Sequence, residues 1–392
     1  MANTLGVYNP IFYANQALIL LYKSLGLASR VYMGFDEERR TFNKGETISI
    51  RRPARFTAQS APSSAQDLGT ETVAMTLDQW KEVKFSLTDK ELAYSGDRII
   101  NDHIAPAANA LADDIDQALC ALHYKIPEFT ATGATATTAK ILTTRKNLFN
   151  LKVPLADAGN MHYMLGGIEE SSILADTTFG VARADGGGAA GAETQMTGHI
   201  GRRFGFEFFS NQNRPLTAGA YTNVTDTAGA LVGAHTKGAT SLSIDGLAAA
   251  EAYEKGWKIT IGDYIYATTA DVTTSGGAGT FTISPPLQAA AADNDVVTFS
   301  TSFDTMAQQN VNIAFHKNAF GLAMARLPDY TQVFGNDLGV RMASVQDPVT
   351  GLAVRARIFA VPDSSKVQVA LDTLYGVQIL DPYLACRDFV AT

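Results

Sequence analysis

One stretch, Asp97 to Tyr124, limits what this chain can fold into more than any other. Ile100, Ile104, Ala107, Ala108, Leu111, Ile115, Ala118, Leu119 and Leu122 recur three or four apart. That is the period of an α-helix, and it gathers them on one stripe. Asn101, Asp102, Asp113, Asp114, Asp116 and Gln117 fall largely off the stripe, and the clustered aspartates read as a solvated face. Such a helix would be roughly 40 Å long at 1.5 Å per residue, well beyond the average of about 11–12 residues. Ser95 or Asp97 can cap its start. Pro106 removes one backbone donor and predicts a kink or a start in two pieces. Cys120, beside Leu119, reads as a small buried hydrophobe. A long helix between strand-like segments is a scaffold element, so the chemistry, if any, has to be sought elsewhere.

What precedes this helix is extended in character. Residues 1–44 read as an arm. Ile11, Phe12, Leu18, Ile19, Leu21, Tyr22 and Leu25 follow Pro10 at helical spacing, and Gly26 is a stop. Residues 45–90 read as a long hairpin. Ile48, Ile50, Ala54 and Phe56 alternate on one strand, and Val73, Met75 and Leu77 on the other. The alternation slips at Gln79–Trp80 and resumes at Val83, Phe85 and Leu87, which predicts a β-bulge. Gln59–Gly69, rich in Ser, Ala, Pro and Gln, has the composition of an exposed tip. A two-stranded ribbon of this length is marginal in water and needs support from another subunit.

Past the helix the pattern is mixed. Thr137–Leu151 predicts a helix, Asn160–Leu165 a strand, Glu169–Leu174 a short helix, and Ile200–Ser210 a turn into a strand. Residues 217–300 then change character: no Arg, three Lys, eight acids and abundant Thr, Gly and Ala. Short strand candidates recur at Ser241–Ile244, Lys258–Ile261, Tyr264–Ala267, Thr280–Ser284 and Val296–Ser300, separated by Gly and Pro turn signals. That pattern predicts a small all-β barrel or sandwich inserted in a larger α+β body. Beyond it, Val311, Ile313 and Phe315 alternate, Lys317–Ala325 reads as helical, and Arg355 and Arg357 fall on the face opposite Leu352, Val354, Ala356 and Ile358. Val367–Leu380 is strand-rich.

Motifs for catalysis are weak throughout. Gly186–Gly191 fits G-x-G-x-x-G, but no clear strand leads into it and no acidic partner is placed, so a flexible loop is the better reading. There is no Walker A, H-E-x-x-H, G-x-S-x-G or paired C-x-x-C pattern. The six histidines lack metal-ligand spacing. No catalytic residue, cofactor or metal is assigned. Cys120 and Cys386 do not make a disulfide framework. Residues 1–30 lack a signal-peptide pattern and Leu18–Tyr22 is too short to span a bilayer, so no secretion and no membrane are expected.

Charge points toward contacts with other proteins. Only 18% of residues are charged, below the roughly 25% of ordinary domains. The net charge of −8 is uneven. Residues 1–60 hold eight Lys/Arg and four Asp/Glu, a net +4, which leaves −12 for the rest. Arg51, Arg52 and Arg55 cluster at the base of the hairpin near Arg39, Arg40 and Lys44. A nucleic-acid patch is one reading. A subunit interface against acidic neighbours fits the asymmetry better. Trp80, at the phase change, joins them as a candidate interface residue.

The order of these elements resembles a tailed-bacteriophage major capsid protein of the Hong Kong 97-type fold, and most of all the coat proteins of short-tailed phages that carry an extra β-domain. Pro106–Asp116 resembles the spine-helix motif. Gly198–Asn211, Asn312–Phe320, and Asp372–Val377 with Asp381-Pro382 resemble later segments of these coats. The resemblance implies an α+β fold with an N-terminal arm (1–44), an E-loop hairpin (45–90) and a spine helix of the peripheral domain (91–130). It further implies an axial domain (131–216), an inserted β-barrel-like domain (217–302), a second axial and peripheral part (303–360) and C-terminal strands (361–392). It implies self-assembly into hexamers and pentamers that enclose double-stranded DNA held without sequence readout. A separate scaffolding protein and a portal are implied as partners, with a decoration protein left open. An encapsulin-type nanocompartment shell, enclosing protein cargo, is the alternative within the same architecture. A soluble nucleotide-using enzyme and an adhesin-like β-protein are rivals from other classes.

Overall fold

The computed structural model describes residues 10–34, 47–51, 60–61, 72–88, 103–130, 137–176, 200–215, 228–300, 309–328, 340–346, 352–361 and 366–391. The chain divides into two compact units, Met1–Asp116 with Gly321–Leu380 and Gln117–Phe320 with Asp381–Thr392. The tip Gln59–Gly69 (apart from residues 60–61), the loop Gly186–Gly191 and the start of the long helix at 97–102 lie outside the described residues.

The first unit is built on one long strand, Lys366–Ile379. Ala353–Val361 pairs with it antiparallel through Arg355↔Asp372, and Val340–Gln346 continues the sheet. Gln79–Thr88 pairs with it from Lys366↔Thr88 to Tyr375↔Gln79, and Phe320–Ala325 completes the five strands. The arm helix, Pro10–Ser24, packs on Val340–Gln346 and Ala353–Val361. Tyr13, Ala14, Ala17 and Leu21 turn inward, three or four apart, and are buried.

Three expectations change here. The slip at Gln79–Trp80 is not a bulge: Thr72–Thr76 pairs with Thr47–Arg51, and after Leu77 and Asp78 the chain joins a different sheet as Gln79–Thr88. Alternation within one strand carries no information about its partner, so a change of sheet looks like a change of phase. Lys317–Ala325 is a 3₁₀ turn at Lys317–Ala319 followed by the strand Phe320–Ala325, buried along its whole length. A short apolar run covered on both faces has neither period, which is why it misleads. Arg355, on the face opposite Val354 and Ala356, is buried as they are. The aspartates 113, 114 and 116 do not form a solvated face. Asp113 alone is exposed. The buried Asp116 carboxylate accepts the amides of Gly26, Leu27 and Ala28 at 2.9, 3.2 and 2.9 Å, and Asp114 accepts the Tyr375 hydroxyl.

The long helix is α-helical over Ala105–Cys120 and runs on as a 3₁₀ turn, Ala121–Lys125. His103 and Ile104 are π-helical and the α-helix begins at Ala105, so Pro106 stands where the two helical geometries meet. Ile104, Ala108, Leu111, Ile115 and Leu119 are buried.

A six-stranded sheet organises the second unit, in the order Phe129–Thr130, Ala385–Ala391, Gln309–His316, Met161–Leu165, Phe206–Ser210, Arg202–Arg203. Arg202–Arg203 and Phe206–Ser210 form a tight hairpin whose turn, Phe204-Gly205, has φ of 48° and 80°. Both turn residues at positive φ match the twist of a two-residue hairpin. Strands Ala228–Leu231, Ser241–Asp245, Lys258–Ile261, Tyr264–Thr268, Gly279–Ser284 and Val296–Phe299 close into a six-stranded barrel. Its core is aromatic: Tyr253 lies 5.6 Å from Trp257, 5.2 Å from Phe281 and 5.0 Å from Phe299, ring centre to ring centre.

Candidate subunit interface

Trp80 sits in the strand Gln79–Thr88 with 57% of its surface exposed. A large indole left in water is costly, but this one is held in place. Its Nε1–H donates to Asp372 Oδ2 at 3.3 Å. Asp372 is fully buried and faces Arg355, which is also buried: Nε donates to Oδ1 at 3.1 Å and Nη2 to Oδ2. Arg355 Nη1 donates to the carbonyl of Pro328 at 3.1 Å, and Arg357 lies 3.4 Å from Asp372. The forked, two-bond pairing of Arg with carboxylate fixes geometry as well as charge. The exposed indole is therefore pre-ordered by a buried ion pair, the arrangement that a contact anchor needs.

Close packing explains the glycine in the same strand. A Cβ on Gly376 would lie 2.2 Å from the Thr76 carbonyl oxygen and 3.2 Å from Leu77 Cα. Only a residue without Cβ lets the base of the hairpin approach that closely. Ile48, Met75 and Leu77 then share a buried cluster with Ala323, Ala325 and Leu380. Arg51 closes the hairpin strand, paired with Thr72. Arg52 and Arg55 lie outside the described residues.

A second exposed apolar surface lies in the other unit, on the helix Thr138–Asn150. Ile141, Thr144 and Leu148 face the core, while Leu142, Lys146 and Phe149 form the opposite stripe, four and three residues apart. Leu142 is 45% and Phe149 70% exposed. The helix ends in a reversal: the Lys152 amide donates to the Phe149 carbonyl at 2.9 Å and the Val153 amide to the Leu148 carbonyl at 3.2 Å. Lys152 takes φ 61°, the left-handed position of a Schellman cap. The reversal brings Leu155 and Ala156 alongside Phe149. Together with Leu142, Arg145 and Lys146 they line a shallow groove of about 480 Å³. Arg145 donates to the Phe204 carbonyl and stacks over Phe206 at 6.0 Å.

Beneath this helix runs a buried polar network. Lys140 Nζ lies 2.9 Å from Asp388 Oδ1 and donates to the Phe389 carbonyl, and the Tyr163 hydroxyl donates to Asp388 Oδ2 at 2.7 Å. Burial raises the Asp388 carboxyl above its ordinary range, opposed by Lys140. Burial likewise pushes up the Cys386 thiol, so it is a packed hydrophobe and not a nucleophile. His123 is held down to about 3, first by burial and then by the charge of Arg387, and stays neutral at ordinary pH.

No protein-family model matches the chain, and no curated protein does. Among solved structures it is similar to one from Mycobacterium phage Che8, at 13% identity and a TM-score of 0.48, over 93% of this chain and 90% of that one. It is similar to the asymmetric unit of the bacteriophage PhiM1 mature capsid at 11% identity and 0.43, over 89% and 83%. It is similar to a virus-like particle from Pyrococcus furiosus at 9% and 0.38, over 96% and 97%.

Of the interface residues expected from the sequence, the structure describes the side chain of Trp80 alone. Its support, Arg355–Asp372, was not legible, because the partners are joined only by cross-strand pairing. The Leu142–Phe149 stripe was missed too. Its signal was present: apolar residues on both sides of the helix Thr138–Asn150, more than one core face can use. Among the described residues no cluster of His, Cys, Asp or Glu is arranged to hold a metal, and no helix is long and apolar enough to cross a membrane.

Proposed function

We propose that this chain is a non-enzymatic major capsid protein that self-assembles, as hexamers and pentamers, into an icosahedral shell around double-stranded DNA. The observation that carries the reading is Trp80, an exposed indole pinned by a buried Arg–Asp pair. Its support follows from cost: Asp372 and Arg355 lose their hydration, and the indole they hold in place is 57% exposed. A second copy supplies that use. The stripe on Thr138–Asn150 points the same way, since it leaves Leu142 and Phe149 exposed on one helix face. Heterologous contacts of this kind close into rings.

In this reading the hairpin that starts at Thr47 is an arm over a neighbour, with Arg51, Arg52 and Arg55 at the contact, and the barrel is an accessory domain. A scaffolding protein, a portal and a decoration protein are the further partners it entails. The DNA is held without base readout, which the acidic balance of the chain suits. Purified protein examined by negative-stain microscopy is expected to show closed shells. Nucleic acid inside them distinguishes a virion shell from a nanocompartment, which holds cargo protein. A monodisperse monomer at high concentration would remove the proposal.

A further inference from the structure

The groove on Thr138–Asn150 has an apolar floor and a cationic rim. Leu142, Phe149 and Leu155 supply the floor, and Arg145 and Lys146 the rim. A matching surface exists elsewhere on the same chain, at one end of the barrel. There the turn before Val296–Phe299 presents Asp293 and Asp295 next to Val296, which is 62% exposed, and beside Val232, 46% exposed. Apolar side chains flanked by carboxylates are the complement of an apolar floor flanked by cations.

This tip is built, not loose. Leu231 N–H donates to the Asp295 carbonyl at 3.0 Å, and Asn294 N–H to the Leu231 carbonyl at 2.9 Å. Asp293 Oδ1 accepts the Gly233 amide and Asp295 Oδ2 the Ala292 amide, both at 2.7 Å. Those bonds hold each carboxylate in place at the surface. A rigid tip loses little freedom on docking. The stretch 217–300 has three Lys against eight acids, so its surroundings reinforce the tip's charge. Phe149 and Val296 are both uncovered within one protomer, so neither surface is the other's partner in cis.

We infer that the Asp293–Val296 tip of one protomer's barrel seats in the Leu142–Phe149 groove of a second copy. This rests on the shell reading and adds a defined contact to it: Val232 and Val296 on the apolar floor, Asp293 and Asp295 against Lys146 and Arg145. The tip and the groove are different surfaces, so the contact is heterologous and propagates from copy to copy.

Mixed assembly with two single-cysteine variants tests it. One chain carries Phe149→Cys, the other Val296→Cys, and the native Cys120 and Cys386 are buried. Assembled particles are oxidised with diamide and run on a non-reducing gel. Covalent dimers are expected from the mixture and not from either variant alone, because a disulfide needs Cα atoms within about 7 Å. In parallel, Lys146→Glu is expected to weaken assembly by about tenfold or more, with Lys146→Arg unaffected and Asp295→Lys restoring the Lys146→Glu chain when the two are mixed. Thermal melting of each dispersed variant checks that it is folded. If wild-type particles form but the mixture yields no dimers and Lys146→Glu assembles normally, this contact is wrong and the shell reading stands. If the wild-type chain does not assemble at all, both fall.

Discussion

Replacing Asp372 with Ala strands the Arg355 guanidinium in a site where it is only 2% exposed. Its hydrogen bond to the Pro328 carbonyl does not replace the lost carboxylate. Breaking one partner of a buried pair costs about 3–5 kcal/mol, because the surviving buried charge loses its forked carboxylate without regaining water. At an m-value of about 3 kcal/mol/M in urea, the unfolding midpoint of the first unit falls by about 1–1.7 M. The chain's two tryptophans are Trp80, bonded to Asp372, and Trp257, in the barrel core. Trp80 fluorescence in a Trp257→Phe background therefore reports the loss locally. The double replacement Arg355→Met with Asp372→Leu is expected to return to within about 1 kcal/mol of the parent, since removing both charges removes the desolvation cost as well. A single Asp372→Ala that costs less than about 1 kcal/mol would mean the pair is hydrated, and the case for a pinned indole would go with it.

Other outcomes follow from the same geometry. Trp80→Ala is expected to leave protomer melting within about 0.5 kcal/mol while weakening assembly by about 2 kcal/mol or more, measured as a rise in critical concentration by sedimentation. Tyr163→Phe removes a donor from the buried Asp388 carboxylate and is expected to cost about 1.5–3 kcal/mol in urea unfolding. Folded His123 has its pKa held near 3, below the unfolded value of about 6.5. The unfolded chain therefore binds the extra proton, and stability present above pH 6.5 is lost as pH falls, by about 2 kcal/mol at pH 5. A His123→Gln variant should flatten that part of the pH profile. Gly376→Ala forces a Cβ against the Thr76 carbonyl and is expected to cost at least 1–3 kcal/mol, roughly the range for overpacking, read by thermal melting.

How far the chain could be read beforehand depended on what each element hides. Strand Lys258–Ile261 showed itself because alternation and the Gly262-Asp263 turn agree there. The barrel strand Ala228–Leu231 was not visible, since Ala and Gly carry little β signal. Asp116 was read as solvated because it stands beside two other aspartates, yet its partners are amides some ninety residues away in sequence, Gly26 to Ala28. The ion pairs Arg355–Asp372 and Lys140–Asp388 were illegible for the same reason: a buried charge looks like a surface charge until its partner is known. Trp80 was found from a break in alternation, though the break marks a change of sheet.

Asp116 also has a mechanical consequence. By gripping three successive amides it fixes the chain at Gly26–Ala28, immediately after the arm helix. That point is a pivot. If the helix lifts from the strands beneath it, its root stays clamped, and a rod of fifteen residues swings through a radius of about 22 Å. The reach of such a swing would be set by a single carboxylate outside the helix itself.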